Sequence, residues 1–96
     1  MARIAQADAD EVVAVLKALA DPVRLDLYRR IACVKEMSCT RLVADAQVSA
    51  STVSYHIKNL KFAGLVEVRK DGRNFFYTAA TGPIDSLEHY LRNACP

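Results

Sequence analysis

Thiols at Cys33, Cys39 and Cys95 are the soft nucleophiles of this 96-residue chain. Its other chemically rich region is the stretch "SASTVSYHIKNLKF" (49–62), which crowds hydroxyls, a phenol, an imidazole and lysines together. Thiolates form disulfides, attack electrophiles or bind thiophilic ions. Hydroxyls both donate and accept, so on an exposed helix face they suit phosphate oxygens and base edges alike. Catalysis is not indicated: the chain has no C-x-x-C redox pair, no nucleophile motif and no glycine-rich phosphate loop. No cofactor is expected.

The elements that must position these groups read clearly from periodicity. Val12, Val13, Val15, Leu16 and Leu19 give a helix over 7–20 with a broad apolar stripe. Asp21 is a good N-cap and Pro22 suits the first position of a second helix. In that helix Val23, Leu25, Leu27 and Ile31 are expected inward, and Arg24, Arg29 and Arg30 mostly outward. Ser38 caps a short third helix with Leu42 and Val43 inside, and Ser49 caps a fourth over 50–63 that ends at Gly64. "LVEVRKDGRNFFYT" then alternates around Asp71-Gly72, the strongest short hairpin signal, pairing Lys70 with Arg73 and Arg69 with Asn74. A last helix starts near "TGPIDSLEHYLRNA". The expected order is α-α-α-α-β-β-α, a mainly α fold with one β-hairpin, in a single domain spanning 1–96.

On the fourth helix Val53, Ile57 and Leu60 share one side. Ser51, Tyr55 and Lys58 lie opposite, with Thr52 and Ser54 on the flanks. A short helix, a three-residue turn and a longer helix read as a helix-turn-helix, whose second helix enters the DNA major groove. Followed at once by a basic hairpin carrying Arg69, Lys70 and Arg73, it is a winged helix-turn-helix. Residues 50–78 hold five cations against Glu67 and Asp71, a net of +3, whereas the whole chain is only +2. Positive potential is therefore concentrated where a polyanion would bind. The DNA-facing set is Ser51, Thr52, Ser54, Tyr55, His56, Lys58, Arg69, Lys70 and Arg73. His56 sits at the edge of the inward stripe, where an imidazole hydrogen-bonded within the domain is the simpler reading. His89 reads as a surface or interface residue. The bland alternative for the helix is an ordinary amphipathic surface helix, and for the whole domain a protein-interaction module without DNA.

No stretch reaches the roughly 20 apolar residues of a membrane span; "VVAVLKALA" is cut by Lys17. The acids in "MARIAQADADEVV" are unlike a signal peptide. A cytoplasmic location with reduced cysteines, and no membrane partner, is the expectation. Apolar residues make up 52% of the chain, more than one small core requires. The surplus on the first helix, and Leu87, Tyr90 and Leu91 on the last, suggests a second copy as the cover.

Three stretches together resemble the ArsR/SmtB family of bacterial winged-helix repressors over nearly the whole chain. They are "LKALADPVRLDLYRRI" (16–31), "SASTVSYHIKNLKFAGLVEVRKDGR" (49–73) and Tyr77. The resemblance implies a homodimer paired through the first and last helices, bound to double-stranded operator DNA and released by an inducer. Two such recognition helices would meet half-sites about one helical turn apart. The chain departs from the family's common metal patterns. The cysteine cluster of the third helix is reduced to Cys39, and the last-helix positions that hold ligands read Thr81, Pro83, Ala94 and a place past Pro96. That argues against zinc, nickel or cobalt.

What remains is the thiols, whose bland reading is as inert small hydrophobes. Cys33 and Cys39 bracket "VKEMS" at the junction of the second and third helices. A continuing helix would hold them about 9 Å apart, too far for a disulfide, whose Cα atoms lie roughly 4.4–6.8 Å apart. A folded-back junction is needed. Arg30, Lys35 and Arg41 nearby would favour thiolates. The expected inducer is an oxidant or electrophile, with arsenite held by Cys33, Cys39 and Cys95 as the alternative; Cys95 acts across the dimer or not at all.

Overall fold

A computed structural model describes residues 2–93. The elements are α1 (Ala2–Leu19), α2 (Pro22–Ala32), β1 (Met37–Ser38), α3 (Cys39–Asp45), α4 (Ala50–Phe62), β2 (Val66–Asp71), β3 (Asn74–Ala79) and α5 (Gly82–Arg92). Helix order and hairpin agree with the sequence reading, and one short strand, β1, is added. It pairs antiparallel with β3, giving a three-stranded sheet in the order β1-β3-β2.

The starts of α2, α3 and α4 follow from their caps. Asp21 accepts from the Arg24 amide at 3.0 Å, Ser38 from Arg41 at 3.1 Å and Ser49 from Thr52 at 3.2 Å. Each satisfies an amide that the helix itself leaves unpaired. Thr81 is the exception: its side chain makes no cap bond, and only its carbonyl receives the Asp85 amide. At the end of α4, Gly64 takes φ +79°. The Gly64 amide then donates to Lys61 O at 3.0 Å and the Leu65 amide to Leu60 O at 2.9 Å, the double bond of a Schellman cap. That turn drops Leu65 and Val66 straight into the core.

The core joins α1, α2, α3, α4 and the sheet: Leu27, Ile31, Leu42, Val53, Leu60 and Leu65 are essentially sealed from solvent, and Val15 of α1, Val66 of β2 and Tyr77 of β3 are buried with them. Burying each such side chain contributes about 1.5–3 kcal/mol. Tyr28, not anticipated inside, is buried as well; its hydroxyl donates to Ala80 O at 3.2 Å, and burial raises its pKa. Leu25, expected inward, is 41% exposed. It stands two positions from Leu27, on the far side of a helix whose packed stripe runs Leu27, Tyr28 and Ile31.

The hairpin register differs from expectation. Asp71 pairs with Asn74, Lys70 with Phe75 and Arg69 with Phe76, so the two-residue loop is Gly72-Arg73 rather than Asp71-Gly72. An Asp-Gly loop of the I′ type needs positive φ at both residues. Here only Gly72 has it (φ +62°), at the first loop position, as a II′ turn requires. The faces of both strands are unchanged, with Val66, Val68, Tyr77 and Ala79 toward the core. Among the described residues no helix is long and apolar enough to cross a membrane.

Candidate nucleic-acid interface

The exposed side of α4 is built by what its other side buries. Val53, Ile57 and Leu60 are locked in the core, which turns Ser51, Ser54, Tyr55 and Lys58 to solvent. Tyr55 is 61% exposed, with the His56 ring edge-on to it at 5.4 Å between centroids. Ser51 and Thr52 are less free than the sequence suggests. Their hydroxyls lie 3.1 and 2.9 Å from the Ser49 hydroxyl, and Thr52 is half-buried. Ser54, Tyr55 and Lys58 thus form the open part of the face.

His56 does not belong to that face. It is 6% exposed and sits beneath α4 against the N-terminus of α2. Arg24 Nη1 lies 3.4 Å from His56 Nδ1, while Nε2 faces Asp21 Oδ1 at 3.9 Å. The imidazole falls one residue from Ile57 on the packed side, so the helix turns it inward. Arg24 also donates to Ala18 O, through a short bond, and to Lys17 O at 3.3 Å, which neutralises the C-terminal end of α1. The Asp21-Pro22-x-Arg24 start of α2 therefore ties α1, α2 and α4 together. The sequence pointed to the cap but not to this role of Arg24, because its partner lies 32 residues away. The Asp21 carboxyl is held below its usual pKa, chiefly by the Arg24 amide and further by His56.

The wing carries its cations unequally. Arg73 and Lys70 stand at the tip, Lys70 Nζ lying 5.9 Å from the Phe75 ring. Arg69 is engaged elsewhere: it lies 4.4 Å above the Phe76 ring and donates through Nε and Nη2 to both oxygens of Glu36, at 3.0 and 2.8 Å. That hydrogen-bonded pairing lowers the Glu36 pKa and raises that of Arg69. Among the described residues no hydrogen bond or ion pair involves the side chains of Lys58, Lys61 or Arg73. No spacing in the sequence points to Glu36, whose place depends on a two-residue strand too short to show a pattern.

The cysteines occupy different surroundings. Cys33 is exposed at the C-cap of α2, and Cys39 is half-buried at the first position of α3, packed against the core. Both are free thiols. The Cys39 thiol lies beside the buried Tyr77 hydroxyl, whose pKa is pushed well up, first by burial and then by Cys39. The junction between the two cysteines is indeed a turn and a short strand rather than a continuing helix. Arg30 and Arg41, the cations expected near the thiols, are each paired to a carboxylate on its own helix, Asp26 at 2.7 Å and Asp45 at 2.9 Å. Cys95 and Ala94 lie outside the described residues. Among those described, no three His, Cys, Asp or Glu side chains come together as a metal site.

A helix-turn-helix domain family matches residues 19–69, more than half of the chain. An arsenical resistance operon repressor from Staphylococcus xylosus is 36% identical over 81 residues, covering 84% of this chain and 77% of the relative. An uncharacterized HTH-type transcriptional regulator from Bacillus subtilis, YceK, is 35% identical over 78 residues, 80% of this chain and 75% of its own. The solved structure of an ArsR-like transcriptional regulator from Rhodococcus sp. RHA1 superposes with a TM-score of 0.82 at 26% identity, covering 90% of this chain and 80% of that one. With a winged helix built around α3 and α4, and relatives of this kind, the chain belongs to the ArsR/SmtB family of transcriptional regulators and is not an enzyme.

Proposed function

We propose that the protein is a homodimeric repressor that binds operator DNA and lets go when its thiols are modified. The observation that carries the DNA reading is the outer face of α4. Among the described residues the side chains of Ser54 and Lys58 are exposed without a partner, and Tyr55 is exposed with the His56 ring at its edge, directly ahead of a wing tipped by Lys70 and Arg73. In a major groove the hydroxyls and the phenol would meet base edges, and the cations would meet phosphates. A second copy is supported by the apolar surface left on α1 and α5: Val13, Leu16 and Leu91 are 47%, 46% and 57% exposed. Single exposed leucines need no explanation, but several on two packed helices do.

For the signal, an accessible Cys33 and a Cys39 seated on the core beside Tyr77 favour a thiol-directed inducer. Peroxide would take two electrons and two protons from the pair, leaving a disulfide and two waters. Forming that bond requires Cys39 to leave Tyr77 or the 34–38 segment to move, and α3 and then α4 would follow. Arsenite binding is the second reading, supported by the likeness to a repressor named for arsenical resistance. The test is a mobility shift on DNA from upstream of the gene, with and without diamide or arsenite. Release by diamide that reductant reverses, and that a Cys33→Ser, Cys39→Ser variant ignores, supports the proposal. A variant that responds normally refutes it, and release by arsenite alone selects the second reading.

A further inference from the structure

We propose that Glu36 is a positioning residue for the wing: through Arg69 it fixes the pitch of the β2–β3 hairpin against the helix-turn-helix, and so withdraws Arg69 from the DNA backbone. The register supplies the geometry. Ser38 of β1 and Arg69 of β2 both pair with Phe76 of β3, which places the three residues in one row across the sheet. β1 and β2 share no hydrogen bonds, since β3 lies between them. Arg69 spans that gap. Its guanidinium stacks over Phe76 and reaches Glu36, the residue immediately before β1.

Two features make this tie consequential. Beyond that row the wing has only two strands, and such a hairpin alone is marginally stable and free to twist, while the cations at its tip reach a phosphate only at one pitch. Ser38 is also the N-cap of α3, which packs on α4. Glu36 therefore connects the wing, within three residues, to the helix pair that reads DNA. A planar fork that stacks and bonds both carboxylate oxygens is specific to arginine; a lysine keeps the charge and loses the geometry.

The proposal rests on the DNA-binding reading but not on the thiol signal, and three variants test it. Arg69→Lys, Arg69→Gln and Glu36→Gln are each measured for operator affinity across a salt series, with folding checked by thermal melts. The expected result is a similar loss in all three, about three- to tenfold, the size of a surface ion pair with a cation–π contact. The salt slope of Arg69→Gln is expected to stay at the parent value. Near-normal binding by Arg69→Lys, with a slope for Arg69→Gln flattened by about 0.9 per protomer, would make Arg69 a phosphate ligand and overturn the proposal. Tighter binding by Glu36→Gln would also overturn it, because Glu36 would then be a brake. A parent protein with no operator preference would instead sink the DNA-binding reading, a failure read without any of the variants.

Discussion

Replacing Lys58 with alanine should change how DNA affinity depends on salt by an amount the structure sets. On the proposed interface the uncommitted cations are Lys58, Lys61, Lys70 and Arg73, since Arg69 is held by Glu36. A dimer doubles that set to eight. Each phosphate contact contributes about 0.9 to the slope of log K against log salt, so the parent slope should be about −7. Lys58→Ala removes two contacts per dimer and should bring it to about −5.4. Between 50 and 200 mM salt the parent then loses about 10⁴ in affinity and the variant about 10³. Arg73→Ala should do the same. Fluorescence anisotropy on an operator duplex at four or five salt concentrations reads this directly. A slope that moves by less than half a unit for both variants would mean that neither side chain meets a phosphate, and the docking geometry would be wrong.

Ser54→Ala and Tyr55→Ala should weaken operator binding by about 1–3 kcal/mol while leaving random-sequence DNA nearly unaffected, if these side chains read base edges; competition titrations against random duplex measure it, and equal losses on both would assign them to the backbone. Asp21 has a folded-state pKa below its unfolded value, so its cap stabilises fully above the unfolded pKa near 3.8 and is lost as pH falls through the folded one. Asp21→Ala should accordingly lower the melting midpoint at pH 7, with the gap to the parent closing at the acid end of a pH series of melts. Gly64→Ala should cost about 1–2 kcal/mol in urea unfolding, all of it from the left-handed backbone, because the new methyl would meet nothing closer than Pro83 Cγ at 3.9 Å.

Most of the architecture is legible from local signals. Three caps, the Gly64 stop and the apolar stripe of α4 each announce themselves within one turn of helix, whereas the stripe of α2 is legible only in part, with Leu25 exposed and Tyr28 buried. What escaped depends on distance or on competition between turn types. The hairpin pairs one residue further along because Gly72 alone, at the first loop position, satisfies a II′ turn, whereas the Asp-Gly signal would force Asp71 into positive φ as well. β1 has two residues and exists only because β3 is there to pair with it. His56 and Arg69 look from the sequence like two more DNA-facing groups. His56, whose simpler reading is an internal imidazole, is indeed held inward by Arg24 and Asp21, whereas Arg69 is drawn across the sheet by a carboxylate 33 residues away. Ser54, Tyr55 and Lys58 remain as the periodicity places them, on the open side of α4.

The most direct test of the account is hydroxyl-radical footprinting of the upstream DNA together with sedimentation of the same complex at about 0.15 M salt. Two protomers per duplex, protecting two patches about 34 Å apart on one side of the helix, are expected. A single bound protomer, or protection no stronger on that DNA than on arbitrary sequence, would contradict it.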